Sequence, residues 1–204
     1  MSSEFIVAVT QRVDLITGRK ELRDAIDQRL IAWIQSFGGQ PVPVPNCLGK
    51  NINPWIRRIL PTAIILSGGN DIGTNPERDR TESALLEYSK LNGVPTLGIC
   101  RGMQFMVRYC GGTLVPVTEH AGTHHALERY ENSHDFPDVV NSFHNFGVGD
   151  CPSDFYIMAT ARDGVIEAVR HKKYKWSGWM WHPERDEVFC KLQLKLARQI
   201  LLEC

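Results

Sequence analysis

The segment Thr96-Leu97-Gly98-Ile99-Cys100-Arg101-Gly102-Met103-Gln104 restricts the fold of this chain more than any other. Pro95 to Ile99 is an apolar run of strand length. From about Gly102 to Tyr109 the pattern is helical, and Gly111-Gly112 closes it. A buried strand that passes into a helix through one residue flanked by glycines is a G-x-nucleophile-x-G elbow, with Cys100 at its apex. The turn is sharp, so its flanks must be small. The helix start then aims free N–H groups and a positive dipole end at the sulfur, which favours the thiolate that attacks. The backbone N–H of Arg101 is one expected oxyanion donor. The competing reading, a small packing thiol at a strand end, explains neither flanking glycine.

The rest of the chain supplies the layers around such an elbow. Phe5 to Val9 and Thr62 to Leu66 read as buried strands, and Gln40 to Pro45 as an extended stretch. From Glu21 to Phe37 the apolar positions Leu22, Ile26, Leu30, Trp33, Ile34 and Phe37 step by three and four, predicting an amphipathic helix stopped by Gly38-Gly39. Glu82 to Leu91 predicts another helix, with Asn92-Gly93 as its stop. Strand, helix, strand, helix, strand, helix in that order predicts an α/β fold, a mostly parallel sheet with helices on both faces. Further on, His120 to Asp150 is polar and weakly periodic. Short strands are expected at Tyr156–Thr160, Val165–Val169 and Gly178–Trp181, and Val188, Phe189, Leu192, Leu196 and Ile200 mark one face of a last helix. Nothing divides the chain, so residues 1–204 are expected to form a single domain.

Two further segments carry chemistry. His182 and Glu184 lie two apart after Trp179 and Trp181, at the end of an expected strand. There, i and i+2 side chains share a face, and a carboxylate can hold one imidazole nitrogen while the other meets the thiol. Ser67-Gly68-Gly69-Asn70-Asp71 ends a buried strand in a turn where glycine lets backbone approach a ligand closely. Gln104 lies one helical turn beyond Cys100 and so can face the same pocket.

These segments together resemble class I glutamine amidotransferase-like proteins. Gly98 to Gln104 is similar to that family's nucleophile motif, Trp181-His182-Pro183-Glu184 to its histidine–glutamate pair, and Ser67 to Asp71 to its oxyanion loop. The order is also the family's. The resemblance implies a flavodoxin-like sandwich and a Cys100, His182, Glu184 triad that cleaves γ-glutamyl amides without cofactor or metal. It implies a second oxyanion N–H at about Gly69, and Gln104 as a holder of the glutamyl group. It also implies that Asn141-Ser142-Phe143-His144 binds the α-amino and α-carboxylate groups, through Asn141, Ser142 and His144.

Within the family, Arg101 after the nucleophile and Arg78-Asp79-Arg80-Thr81-Glu82 resemble stand-alone γ-glutamyl hydrolases rather than amidotransferases that pass ammonia to a synthetase. The compact chain, with Val9-Thr10-Gln11-Arg12, resembles the group that serves capsule phosphoramidate synthesis and removes glutamate from γ-glutamyl-CDP-amidate. A diphosphate in the substrate needs cations, for which Arg12, Arg78, Arg80 and Arg101 are candidates. Two alternatives stay open: a glutaminase subunit working with a separate synthetase, and a non-catalytic binding module on the same fold.

Composition closes off other classes. Lys and Arg total 23, as do Asp and Glu, so no general field draws the chain to nucleic acid or an anionic membrane. The basic run Arg170 to Lys175 reads as a solvated turn. No stretch is long and apolar enough for a bilayer, and no secretory leader is evident at Met1, so a cytoplasmic protein is expected. The six cysteines, Cys204 among them, form no CxxC pair, and most are expected to be free thiols. His120, His124, His125 and His134 are irregularly spaced and are expected to be loop histidines, not a metal site.

Overall fold

The computed structural model describes residues 5–130 and 136–202. Nine strands form one sheet in the order β4-β1-β5-β6-β13-β12-β11-β8-β9. Here β1 is Phe5–Val9, β4 Gly39–Pro43, β5 Ala63–Leu66, β6 Thr96–Ile99, β8 Ala121–Arg129, β9 Val139–Phe143, β11 Phe155–Ala161, β12 Ile166–His171 and β13 Trp176–Trp179. The first five in that order run parallel, and the remaining four pair antiparallel. Two small ribbons complete the set. One pairs β2 (Arg12–Ile16) with β3 (Glu21–Ala25), and the other pairs β7 (Leu114–Pro116) with β10 (Phe146–Val148).

Period-two alternation sorts the parallel strands onto two cores. Val7, Val9, Ala63, Ile65, Leu97 and Ile99 point to one face, where α1 (Gln28–Ser36) and α5 (Lys191–Leu202) bring Leu30, Trp33, Ile34, Ala197 and Leu201. Ala8, Ile64 and Leu66 point to the other, covered by α2 (Ile52–Ile59), α3 (Pro76–Asn92) and α4 (Arg101–Tyr109) through Ile56, Leu85, Leu86, Met103 and Met106. The expected mostly parallel sheet with helices on both faces is therefore the architecture found. None of the described helices is long and apolar enough to cross a membrane.

Several elements differ from the sequence reading. Glu21 to Ala25 is not helical: it is the second strand of the β2–β3 hairpin, where Leu15 faces Leu22, and Leu22 is largely exposed. The helix begins only at Gln28, behind Asp27, whose carboxylate accepts the Arg29 N–H at 2.8 Å as an N-cap. α3 starts six residues before Glu82, at Pro76, with proline in the first turn where its missing N–H costs nothing. The polar stretch from His120 to Asp150 is chiefly strands β8, β9 and β10. Val188 is 82% exposed, and α5 starts at Lys191.

Candidate active site

Four parallel strands end on one edge of the sheet, and the loop or turn after each of them contributes to the site. After β1 comes the hairpin with Arg12, after β5 the loop Ser67-Gly68-Gly69, after β6 Cys100, and after β13 His182. Strand order reverses between β1 and β5, so Arg12 and the glycine loop flank a topological switch point.

Cys100 adopts φ 51° and ψ −106°, a conformation that L side chains rarely take. Its N–H is tied to Trp179 O at 2.7 Å. Close packing requires both flanking glycines. A Cβ on Gly102 would stand 2.0 Å from Leu66 O, and one on Gly98 would stand 2.5 Å from the Gly102 carbonyl carbon. Arg101 is the first residue of α4, so its N–H has no acceptor within the helix.

His182 is 2% exposed, and its Nδ1 pairs with Glu184 Oε1 at 2.7 Å, while Cys100 is near enough to act on the ring electrostatically. The pairing is not built on a strand. β13 ends at Trp179, and Glu184 turns back to His182 through a 3-10 turn at Pro183–Arg185. Burial works against a charge on His182. The interactions with Cys100 and Glu184 outweigh it and hold the imidazole at about 9. The backbone of this turn is held from two directions. Asn141 Oδ1 accepts from His182 N at 2.9 Å, and Asn141 Nδ2 donates to His182 O at 2.7 Å. From α1, Arg29 Nε donates to Glu184 O at 2.8 Å, a contact that sequence reading missed.

The glycine loop lies directly against the imidazole. A Cβ on Gly68 would be 2.6 Å from His182 Cε1. Gly69 takes φ +124° and packs on Arg12 and Arg78. Asn70 fixes the hairpin to this loop by pairing with both backbone groups of Val13 at 2.8 Å. A cleft of about 300 Å³ opens here, lined by Arg12, Asp14, Asp27, Gly68, Gly69, His182, Glu184 and Arg185 among others.

The arginines expected to face a diphosphate separate into three groups. Arg78 and Arg101 are 0% and 2% exposed. Arg78 Nε pairs with Glu82 at 3.0 Å, and its Nη2 donates to Ser67 O at 2.7 Å and Gly68 O at 2.9 Å. Arg101 pairs with Glu82 and, at 2.5 Å, with Asp79. Their guanidinium groups clamp the glycine loop to the elbow and do not reach the cleft. Arg80 lies on the solvent side of α3, paired with Glu77 at 2.7 Å, and does not line the cleft. Arg12 does line it, with its side chain 53% exposed and paired with Asp14. Arg185, which the sequence reading passed over, joins Arg12 there and stacks over the Phe143 ring at 4.6 Å.

The expected glutamyl-binding side chains are also committed to the protein. Gln104 Nε2 donates to Phe146 O at 2.8 Å. Asn141 holds the His182 backbone, and Ser142 Oγ donates to His120 O at 2.5 Å. His144 is 3% exposed and turns away from the cleft. The histidines are not simply loop residues. His120, His125 and His144 meet Glu167 in a compact group, whereas His124 is exposed on β8 and His134 lies outside the described residues, as does Cys204.

Residues 24–187 match the family described as glutamine amidotransferase class-I. A γ-glutamyl-CDP-amidate hydrolase from Campylobacter jejuni is 35% identical over 92% of this chain and 94% of its own length. A glutamine-hydrolyzing GMP synthase from Paraburkholderia phymatum is 33% identical over 64% of this chain but only 26% of its own length. Among solved structures, a glutamine amidotransferase from Thermotoga maritima superposes with a TM-score of 0.68 at 15% identity, covering 96% of this chain and 83% of that one.

Proposed function

The chain belongs to the class I glutamine amidotransferase family and is a hydrolase of C–N amide bonds, and from that premise we propose a stand-alone enzyme that cleaves γ-glutamyl-CDP-amidate to glutamate and cytidine diphosphoramidate. The observation that carries the chemistry is the buried His182 held by Glu184 at 2.7 Å and acted on by the nearby Cys100, beside a glycine loop. The Cys100 thiolate attacks the γ-carbonyl carbon. The N–H groups of Gly69 and Arg101 take the oxyanion, and each such donor is typically worth about 3 kcal/mol in the transition state. The C–N bond breaks as His182 gives its proton to the departing nitrogen. A γ-glutamyl thioester then remains on Cys100. Water, losing a proton to His182, attacks that thioester, and glutamate leaves with the thiolate restored. Glu184 orients the imidazole throughout.

The leaving group is argued from the Campylobacter jejuni relative and from Arg12 and Arg185, which offer guanidinium groups on the cleft where a diphosphate can pair with them. The nucleotide-linked substrate is then a small molecule, and residues 1–204 act as one domain. The described cysteines are all free, which suits a reducing cytoplasm. The GMP synthase relative favours a second reading, a glutaminase subunit that delivers ammonia to a separate synthetase.

The test is glutamate release by the purified chain from γ-glutamyl-CDP-amidate, γ-glutamyl-γ-aminobutyrate and glutamine, with Cys100→Ala as control. The expected result is a kcat/KM at least a hundredfold higher for the nucleotide conjugate and no turnover by Cys100→Ala. Glutamine as the best substrate, turned over slowly and accelerated by an added synthetase, would establish the second reading. Turnover retained by Cys100→Ala, or no labelling of Cys100 by a thiol-reactive glutamine analogue, would return the chain to the class of non-catalytic modules.

A further inference from the structure

His120 precedes β8, His125 lies within it, His144 sits between β9 and β10, and Glu167 lies on β12. Each contributes one ligand-type atom, and the four atoms lie within 4.8 Å of one another. None of the four lines the cleft. His120, His144 and Glu167 are 1%, 3% and 0% exposed, and His125 is half-buried. A carboxylate this deeply buried normally accepts several hydrogen bonds, yet neither Glu167 oxygen has a partner. Nor do His120 Nδ1, His125 Nε2 and His144 Nε2.

Two of the spacings suit a shared central ion better than direct hydrogen bonds. His120 Nδ1 and His144 Nε2 stand 3.5 Å and 3.4 Å from Glu167 Oε1. Charge-assisted hydrogen bonds fall at about 2.7–2.9 Å. With bonds of about 2.0–2.1 Å to a central ion, the edge of a tetrahedron is roughly 3.3–3.4 Å. The outer nitrogens of His120 and His144 are fixed in the way that metal-bound histidines require. His144 Nδ1 lies 3.1 Å from the carbonyl of Phe146, which can only accept, so Nδ1 carries a proton there and Nε2 is the ring nitrogen turned inward toward Glu167. His120 Nε2 lies 2.8 Å from the Asp163 carboxylate, leaving Nδ1 to face Glu167.

We propose that His120, His125, His144 and Glu167 bind one first-row divalent transition-metal ion, Zn²⁺ by ligand type, as a structural site separate from the catalytic cleft. Imidazole with a single carboxylate suits zinc. Four protein ligands close the coordination sphere, so the ion serves the fold rather than activating water. Within the buried group Glu167 offsets part of the Zn²⁺ charge, and the Asp163 carboxylate, 55% exposed, offsets more from the edge of the site. The ion would tie β8 and β12 to the 141–146 segment, where Asn141 holds the His182 backbone and Phe146 O receives Gln104. It would thereby brace the wall behind the imidazole. This site does not depend on the hydrolase reading.

The experiment measures metal content of the purified full chain, then Zn²⁺ uptake by chelator-stripped protein against a chromophoric competitor. Melting temperature and the Co²⁺ absorption spectrum are recorded alongside. Expected are about one equivalent per chain, a melting temperature that rises with added Zn²⁺, and at least tenfold weaker binding in Glu167→Gln and His125→Ala. Co²⁺ should give four-coordinate d–d bands with no thiolate charge-transfer band. Glu167→Gln is isosteric and His125 is only half-buried, so both variants are expected to fold, with circular dichroism as the check. Substoichiometric metal in the isolated protein together with no uptake by folded stripped protein would overturn the site. Wild-type affinity in both variants, or a thiolate band placing the ion on cysteines, would do the same.

Discussion

His182 sits between two opposed effects, and the balance has consequences in pH. Burial disfavours its charge, while Cys100 and Glu184 favour it more strongly, giving about 9 against an ordinary value of 6.5. A raised value in the folded state means the charged ring contributes stability that is fully present below pH 6.5. That stability is lost as pH rises through about 9. The denaturation midpoint of the protein is therefore expected to fall between pH 7 and pH 10, and to fall less in His182→Ala. The same titration sets the alkaline limb of kcat/KM, since His182 must hold the proton that the leaving nitrogen takes. The limb is expected near pH 9, and Glu184→Gln, which removes a cause of the rise, should move it to lower pH. A limb unmoved by that change would mean Glu184 does not govern the ring. Gly68 is the other single-residue test. Its α-hydrogen faces an imidazole that the Glu184 and Asn141 contacts prevent from retreating. Gly68→Ala is expected to lower kcat about a hundredfold by displacing the ring, with the chain still folded in circular dichroism.

At the scale of elements, α3 is the piece whose purpose the sequence reading misjudged. Arg78, Asp79 and Glu82 were legible as a charged motif, but motif and spacing do not tell a ligand-facing arginine from one that caps carbonyls indoors. Only the packing of α3 beneath the glycine loop turns Arg78 onto Ser67 O and Gly68 O, and Glu82 between two guanidinium groups. Removing Glu82 strips Arg78 of its carboxylate partner and leaves Arg101 with Asp79 alone. Glu82→Ala is expected to cost about 3–5 kcal/mol in urea denaturation and to loosen the oxyanion loop. The elbow, by contrast, was fully legible, because a buried strand, two glycines and a helix start leave one geometry available. The β2–β3 hairpin was not. Leu22 and Ile26 fit a helical period by coincidence with the true helix from Gln28, and the alternation over five residues was too short to outvote it. The histidine cluster was equally hidden, because its members come from the residue before β8, β8 itself, the β9–β10 turn and β12, and converge only when the antiparallel half of the sheet forms.

For the molecule as a whole, a formal charge of zero means that any attraction for an anionic substrate must be local. The sheet supplies the location. The cleft opens at the switch point between β1 and β5, the hairpin after β1 brings Arg12 to one side, and the turn after His182 brings Arg185 to the other. Arg78 and Arg101 are neutralised within the fold by Asp79 and Glu82, so they add nothing to this field at the cleft mouth. Arg12 is itself paired with Asp14 at 2.7 Å in an exposed ion pair, a contact weak enough for a diphosphate to displace. Substrate selection by charge therefore reduces to two exposed guanidinium groups on a cleft whose chemistry is buried. Arg12→Ala and Arg185→Ala are each expected to raise KM for γ-glutamyl-CDP-amidate about tenfold. Neither should shift KM for glutamine, which carries no diphosphate. Arg80→Ala, on the outer face of α3, should leave both unchanged. Raising ionic strength should reproduce the arginine effect on the nucleotide substrate alone. Equal losses for both substrates would mean the two arginines shape the cleft instead of reading its charge, and the leaving-group assignment would then lose its structural support.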